Sequence, residues 1–131
     1  MVLDSIQKEG IQTALDLPQG GFRVAVAWYP LCRGISFEVP LLILTGEKDD
    51  WAPTALCTKM VTAARSRSTA VILKVYPGAH HAFDVPFYAP YYYLGHVMDY
   101  HPQAAKAATD ELKRFLDQHL RSTAADQRTS K

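Results

Sequence analysis

The sequence holds 131 residues, a usual size for one domain, and no shift in composition divides it. Apolar residues make up 48% of it, enough to build a hydrophobic core, and the net charge of +1 comes without any block of like charge. That balance argues against nucleic acid or an anionic membrane surface as a partner.

Residues 3–16 have helical spacing, weakened by Gly10. Three short apolar runs follow, each ending in a loop. Phe22-Arg-Val-Ala-Val-Ala-Trp-Tyr29 stops at Pro30, Leu41-Leu-Ile-Leu-Thr45 lies between Pro40 and Gly46, and Val71-Ile-Leu-Lys-Val-Tyr76 stops at Pro77-Gly78. Runs of this kind bounded by Pro and Gly suit buried strands of a parallel sheet covered by helices. A helix is expected from Pro53 to about Ser66, with apolar spacing through Leu56, Met60 and Ala63/Ala64. A second runs from Pro102 to Leu120, where Ala105, Ala108, Leu112, Phe115, Leu116 and Leu120 form one stripe. Residues 121–131 are polar and aperiodic and read as a disordered tail. Residues 1–120 then form a single α/β unit with about three parallel strands flanked by helices. The first strand has no evident neighbour on its far side, so a second copy or another chain would cover that edge.

The apolar runs are too short to cross a bilayer. The start, Met-Val-Leu-Asp-Ser, lacks the basic stretch and apolar run of an export signal. A cytoplasmic protein is therefore expected; Cys32 and Cys57 are two cysteines that could pair, and without an export signal they are expected as reduced thiols.

Two loops carry the chemistry. Gly46-Glu-Lys-Asp-Asp-Trp-Ala-Pro53 follows the second strand, and Tyr76-Pro-Gly-Ala-His-His-Ala-Phe-Asp84 follows the third. Functional groups of open α/β sheets collect beyond the carboxyl ends of strands. A carboxylate there can hold a histidine in the tautomer a general base needs. Either loop alone reads as a polar turn. Together, an acid loop and then a histidine loop follow the Ser–Asp–His chain order of α/β-hydrolases. Spacing does not separate Asp49 and His81 from Asp50 and His80.

The run Phe22–Tyr29, the stretch Pro40 to Pro53, the stretch Tyr76 to Phe83 and the closing helix resemble the C-terminal part of dienelactone hydrolase family proteins over roughly residues 20–120. The resemblance implies a partial α/β-hydrolase fold and hydrolysis of a small ester or lactone through an acyl-enzyme. It places the triad acid on Asp49 and the base on His81, and it calls for no metal or organic cofactor. The family's nucleophile elbow, Gly-x-Ser-x-Gly or its Cys form, is absent from the sequence. Laying Gly10-Ile-Gln-Thr-Ala-Leu15 on the helix after that elbow puts Gln7 at the nucleophile position, with Ser5 and Glu9 at the flanking glycines. Gln cannot accept an acyl group, and Glu has no freedom to replace Gly in a strained turn.

Cys32, just past the first strand, is a candidate nucleophile, since a thiolate beside a histidine is reactive. Its alternative is an inert small hydrophobe, and Cys57 reads as core. His80, His81, His96 and His101 with Asp84 and Asp99 fit no metal-ligand spacing, and no metal is expected. The aromatics between Asp84 and Tyr100 line an apolar pocket or pack on the sheet edge, and Gly95 allows a bend there. Ser36, Ser66 and Ser68 read as turn residues. Three functions follow: a hydrolase with acid and base but no nucleophile, inactive alone; a partner-binding or self-assembling module using the uncovered sheet edge; and a small Cys32–His81 esterase.

Overall fold

The computed structural model describes residues 21–33, 37–64, 70–87 and 89–129, with side chains to residue 121. Strands β1 (Ala25–Trp28), β2 (Leu41–Gly46) and β3 (Val71–Tyr76) form one parallel sheet in the order β1-β2-β3. Helix α1 (Thr54–Ala64) lies between β2 and β3 in the chain. The strands β4 (Tyr91–Tyr93) and β5 (His96–Met98) make an antiparallel hairpin, and α2 (Pro102–Thr129) closes the chain. The α/β architecture with three parallel strands and flanking helices is the one expected.

Strand β2 is buried along its whole length because each face meets a helix layer. Leu41 and Ile43 pack with Ala25, Cys57 and Val61, while Leu42 and Leu44 pack with Ala79, Phe83, Ala104, Ala108 and Phe115. Each such aliphatic side chain contributes about 1.5–3 kcal/mol on burial. Strands β1 and β3 are only partly buried, since a sheet of three has one central strand. Among the described residues no strand pairs with the far edge of β1.

Helix α1 turns Cys57, Val61 and Ala64 inward, one step round from the expected stripe, with Leu56 and Met60 flanking the core. On α2 the deepest positions are Ala104, Ala108 and Phe115; the two alanines allow close approach to the sheet, while Leu120 is exposed. His101 caps this helix, its Nδ1 accepting from the Ala104 N–H at 3.2 Å. Pro102 fills the first helical position, where its missing N–H costs nothing. Backbone of residues 121–129, expected as a disordered tail, is helical. Extending an existing helix needs no new nucleus, and Ala124, Ala125 and Gln127 are compatible with it.

The helix expected over 3–16, the elbow alignment at Ser5, Gln7 and Glu9, and Ser36, Ser66 and Ser68 fall outside the described residues. The cysteines differ from expectation. Cys32, on the loop after β1, is disulfide-bonded to Cys57 on α1, with Cα atoms 4.9 Å apart. Both sit in the core beneath that loop, which brings them together. They are not reduced thiols, and Cys32 has no thiolate to offer as nucleophile.

Candidate active site

The acid loop leaves β2 at Gly46, which lies against the backbone of Ala79 on the loop after β3; a Cβ here would collide with the Ala79 carbonyl. The contact lets the two loops bond to each other. Glu47 N–H donates to Tyr76 O at 3.0 Å and Lys48 N–H to Ala79 O at 2.9 Å. Gly78 N–H donates to Glu47 Oε2 at 2.9 Å, from a turn with φ of 72° that suits glycine. The Thr54 hydroxyl donates to Gly46 O at 2.9 Å, fastening the start of α1 to the same turn.

On this frame Asp49 points inward. Its Oδ1 accepts from the N–H groups of Trp51 at 3.0 Å and Ala52 at 2.7 Å. Its Oδ2 lies 2.8 Å from His81 Nδ1. The carboxylate is fully buried and the imidazole 17% exposed. A carboxylate can only accept, so Nδ1 carries the proton in this bond and the lone pair of the neutral ring is left on Nε2. That is the arrangement of a general base held by an acid.

The neighbouring residues go elsewhere. Asp50 turns to the hairpin, where its Oδ1 accepts from the Val97 N–H at 3.4 Å and lies 3.6 Å from His96 Nδ1. His80 Nδ1 is buried with no hydrogen-bond partner among the described residues. The structure thus brings Asp49 and His81 together and leaves Asp50 and His80 apart. With His101 capping α2, the histidines serve different places, and no group of three or more metal-ligating side chains converges among the described residues.

Aromatic rings surround the imidazole. Tyr29 packs at a centroid distance of 4.5 Å and Trp51 at 5.1 Å. Below them Phe83 is buried against Trp28, Tyr29 and Tyr76, which anchors the histidine loop in the core. Tyr29 and Ala82 take positive φ values of 38° and 56°, so non-glycine strain collects beside His81. The Tyr29 phenol is pushed up to about 12, by burial first and then by Asp84 beside it. It therefore stays a neutral donor across the ordinary pH range. Sequence reasoning did not single out Tyr29 or Trp51. The available signal was position, since Tyr29 directly follows β1 and Trp51 lies on the loop after β2 that carries the acid.

A parallel sheet that presents an acid after one strand and its bonded histidine after the next is the arrangement of an α/β-hydrolase. The sequence matches the dienelactone hydrolase family over residues 10–120. The chain belongs to that family. Among solved structures it is similar to a protein of Klebsiella pneumoniae subsp. pneumoniae MGH 78578 named provisionally as a dienelactone hydrolase, at 29% identity and a TM-score of 0.53 over 72% of this chain. It shares the fold of esterase 2 of Thermogutta terrifontis, solved phosphorylated by paraoxon, at 19% identity and a TM-score of 0.51 over 73% of this chain. The aligned part is 40% of the length of each of those two proteins. No curated protein matches the sequence. No helix among the described residues is long and apolar enough to cross a membrane.

Proposed function

We propose that this chain supplies the acid–base half of a site that hydrolyses a small carboxylic ester or lactone. The observation that carries this reading is the 2.8 Å bond from His81 Nδ1 to the buried carboxylate of Asp49. His81 Nε2 takes the proton of a serine hydroxyl or cysteine thiol as that group bonds to the ester carbonyl carbon. As the ester C–O bond breaks, His81 returns the proton to the leaving oxygen. Water, deprotonated by the same nitrogen, then bonds to the acyl carbon; as the bond from that carbon to the nucleophile breaks, His81 returns the proton to the nucleophile and the acid leaves. Asp49 keeps the ring in its tautomer and stabilises the imidazolium.

The nucleophile comes from a polypeptide segment with a Gly-x-Ser-x-Gly or Gly-x-Cys-x-Gly elbow, a motif this sequence lacks. By itself the chain is inactive on esters. The second reading, a module for a partner or a second copy, draws on the β1 edge, which no strand among the described residues covers. It joins the first if the partner is the elbow-bearing segment. The Cys32–Cys57 bond favours an oxidising compartment over the cytoplasm.

Hydrolysis of a small activated ester tests the proposal. The purified chain should show no turnover above free imidazole. Mixed with an elbow-bearing N-terminal segment of a dienelactone hydrolase, it should show turnover that His81→Ala abolishes. His81-dependent activity in the chain alone would overturn the claim of inactivity, and a mixture indifferent to His81→Ala would overturn the assignment of the base.

A further inference from the structure

The rings beside His81 continue outward in one direction. Trp51, tilted on the imidazole, is stacked on His96 at 5.0 Å with an interplanar angle of 14° and packs on Tyr93 at 5.6 Å. Tyr93 in turn is aligned with Tyr91 at 6.5 Å, and Tyr91 with Phe87 at 5.9 Å. Tyr91 and Tyr93 are exposed large rings. The row therefore runs from the dyad to the surface without being covered.

Polar contacts on both sides hold this row in place. Asp50 accepts from Val97 N–H and faces His96, so the acid loop grips β5 directly. The histidine loop grips it as well, through a bridge between His81 and Met98. The hairpin turn, Leu94-Gly95, has φ of 50° and 84°, the type I′ geometry whose twist suits a tight hairpin. A hairpin that merely shields the core would bury its rings, and this one presents them.

In the acid step of ester cleavage the leaving oxygen comes within hydrogen-bond reach of the imidazole. Its carbon skeleton then meets whatever packs on that imidazole. Here that surface is made of ring faces and edges, which favour a flat π-system over a saturated skeleton of equal size. We propose that Trp51, Tyr93 and His96 bind the leaving group and select an aromatic one, so that the substrate is an aryl ester, and that Asp50 is the positioning residue that holds this wall. The inference rests on the hydrolase reading for the direction of the leaving group.

Binding of the product alcohol tests it without turnover. The probe is 2-naphthol, with its saturated counterpart decahydro-2-naphthol as control, titrated against the full chain and followed by NMR of the Trp51 and His96 rings. Naphthol should bind about tenfold more tightly than the saturated alcohol, the scale of two ring contacts. Tyr93→Leu keeps apolar area but removes the ring and should weaken naphthol binding roughly threefold. Asp50→Ala should weaken it too while leaving the Asp49–His81 bond intact, whereas Tyr92→Ala, outside the row, should leave it unchanged. Equal binding of the two alcohols, or indifference to Tyr93→Leu, would overturn the aromatic wall. Indifference to Asp50→Ala would overturn the role of Asp50. The two proposals fail separately: naphthol binding by the chain, with no His81-dependent hydrolysis in the mixture with an elbow-bearing segment, sinks the hydrolase reading, and His81-dependent hydrolysis in that mixture without aryl preference sinks the wall.

Discussion

Asp49 and Asp50 are adjacent and each faces a histidine, but their surroundings differ. The inner pair, Asp49 and His81, is 2.8 Å apart with side chains 0% and 17% exposed; the outer pair, Asp50 and His96, is 3.6 Å apart with side chains 47% and 33% exposed. The inner carboxylate also accepts from two backbone N–H groups, while the outer one receives a single long bond. Taking a carboxylate out of water is costly unless its lone pairs are satisfied, and an exposed ion pair is worth little. The inner pair is thus preorganised by the loops around it, and the outer pair is a weak latch on a surface hairpin. One position along the chain separates a buried carboxylate bonded to an imidazole from an exposed one that only touches a hairpin.

The largest expected effect lies in the inner pair. Asp49→Ala leaves His81 and two N–H groups without their acceptor and should cost about 3–5 kcal/mol in urea unfolding. Asp50→Ala should stay within about 1 kcal/mol. Similar losses at both positions would erase the distinction between them. Next comes the disulfide, whose Cys32 and Cys57 are 25 residues apart in sequence. Reducing that bond should lower stability by about 2–4 kcal/mol, and Cys32→Ser should remove the dependence on reductant. No effect of reductant on the unfolding midpoint would mean that the bond contributes nothing.

Smaller effects probe the hairpin and the rings. Leu94 is 75% exposed at a φ of 50°, so its side chain packs little and its backbone is strained. Leu94→Asn should stabilise the protein by roughly 0.5–1 kcal/mol, because Asn-Gly suits a type I′ turn; a loss of stability would mean that Leu94 is held by contacts of its own. The smallest signal is alkaline. Folding raises the Tyr29 phenol from its ordinary 10.0 to about 12, through burial and then Asp84. The neutral form is the one the fold favours, so its contribution is complete below pH 10 and lost as pH climbs through about 12. Tyr76, also raised to about 12 by burial and then Glu111, should behave alike. In an ultraviolet titration of tyrosine ionisation, Tyr29→Phe should delete a late step; deletion of an ordinary one would refute the burial of that phenol.

The parts legible in the sequence were those where a run of residues repeats one message. Strands β2 and β3 are apolar runs closed by Gly46 and Pro77-Gly78, and the acid and histidine loops follow from where those runs stop. The choice between Asp49 and Asp50 was out of reach of spacing, because it depends on a turn that aims the N–H groups of Trp51 and Ala52 at one carboxylate. The hairpin was hidden for a related reason. Leu94 is not a turn residue by chemistry, and the aromatics around it read as well for packing as for a pocket. The disulfide was hidden because Cys32 and Cys57 meet only once α1 packs beneath the loop after β1. On α2, the periodic stripe located the helix but not its deepest positions, since small alanines rather than leucines suit the close approach to β2.

The measurement that bears most directly on the inner pair is the nitrogen NMR spectrum of the His81 imidazole at a pH where the ring is neutral. Asp49 should hold the proton on Nδ1 and leave Nε2 as the bare base; Asp49→Asn should upset that tautomer, and Asp50→Asn should not. A ring that exchanges its proton between both nitrogens like free imidazole, or one unmoved by Asp49→Asn, would contradict the assignment of this pair as the acid–base half of the site.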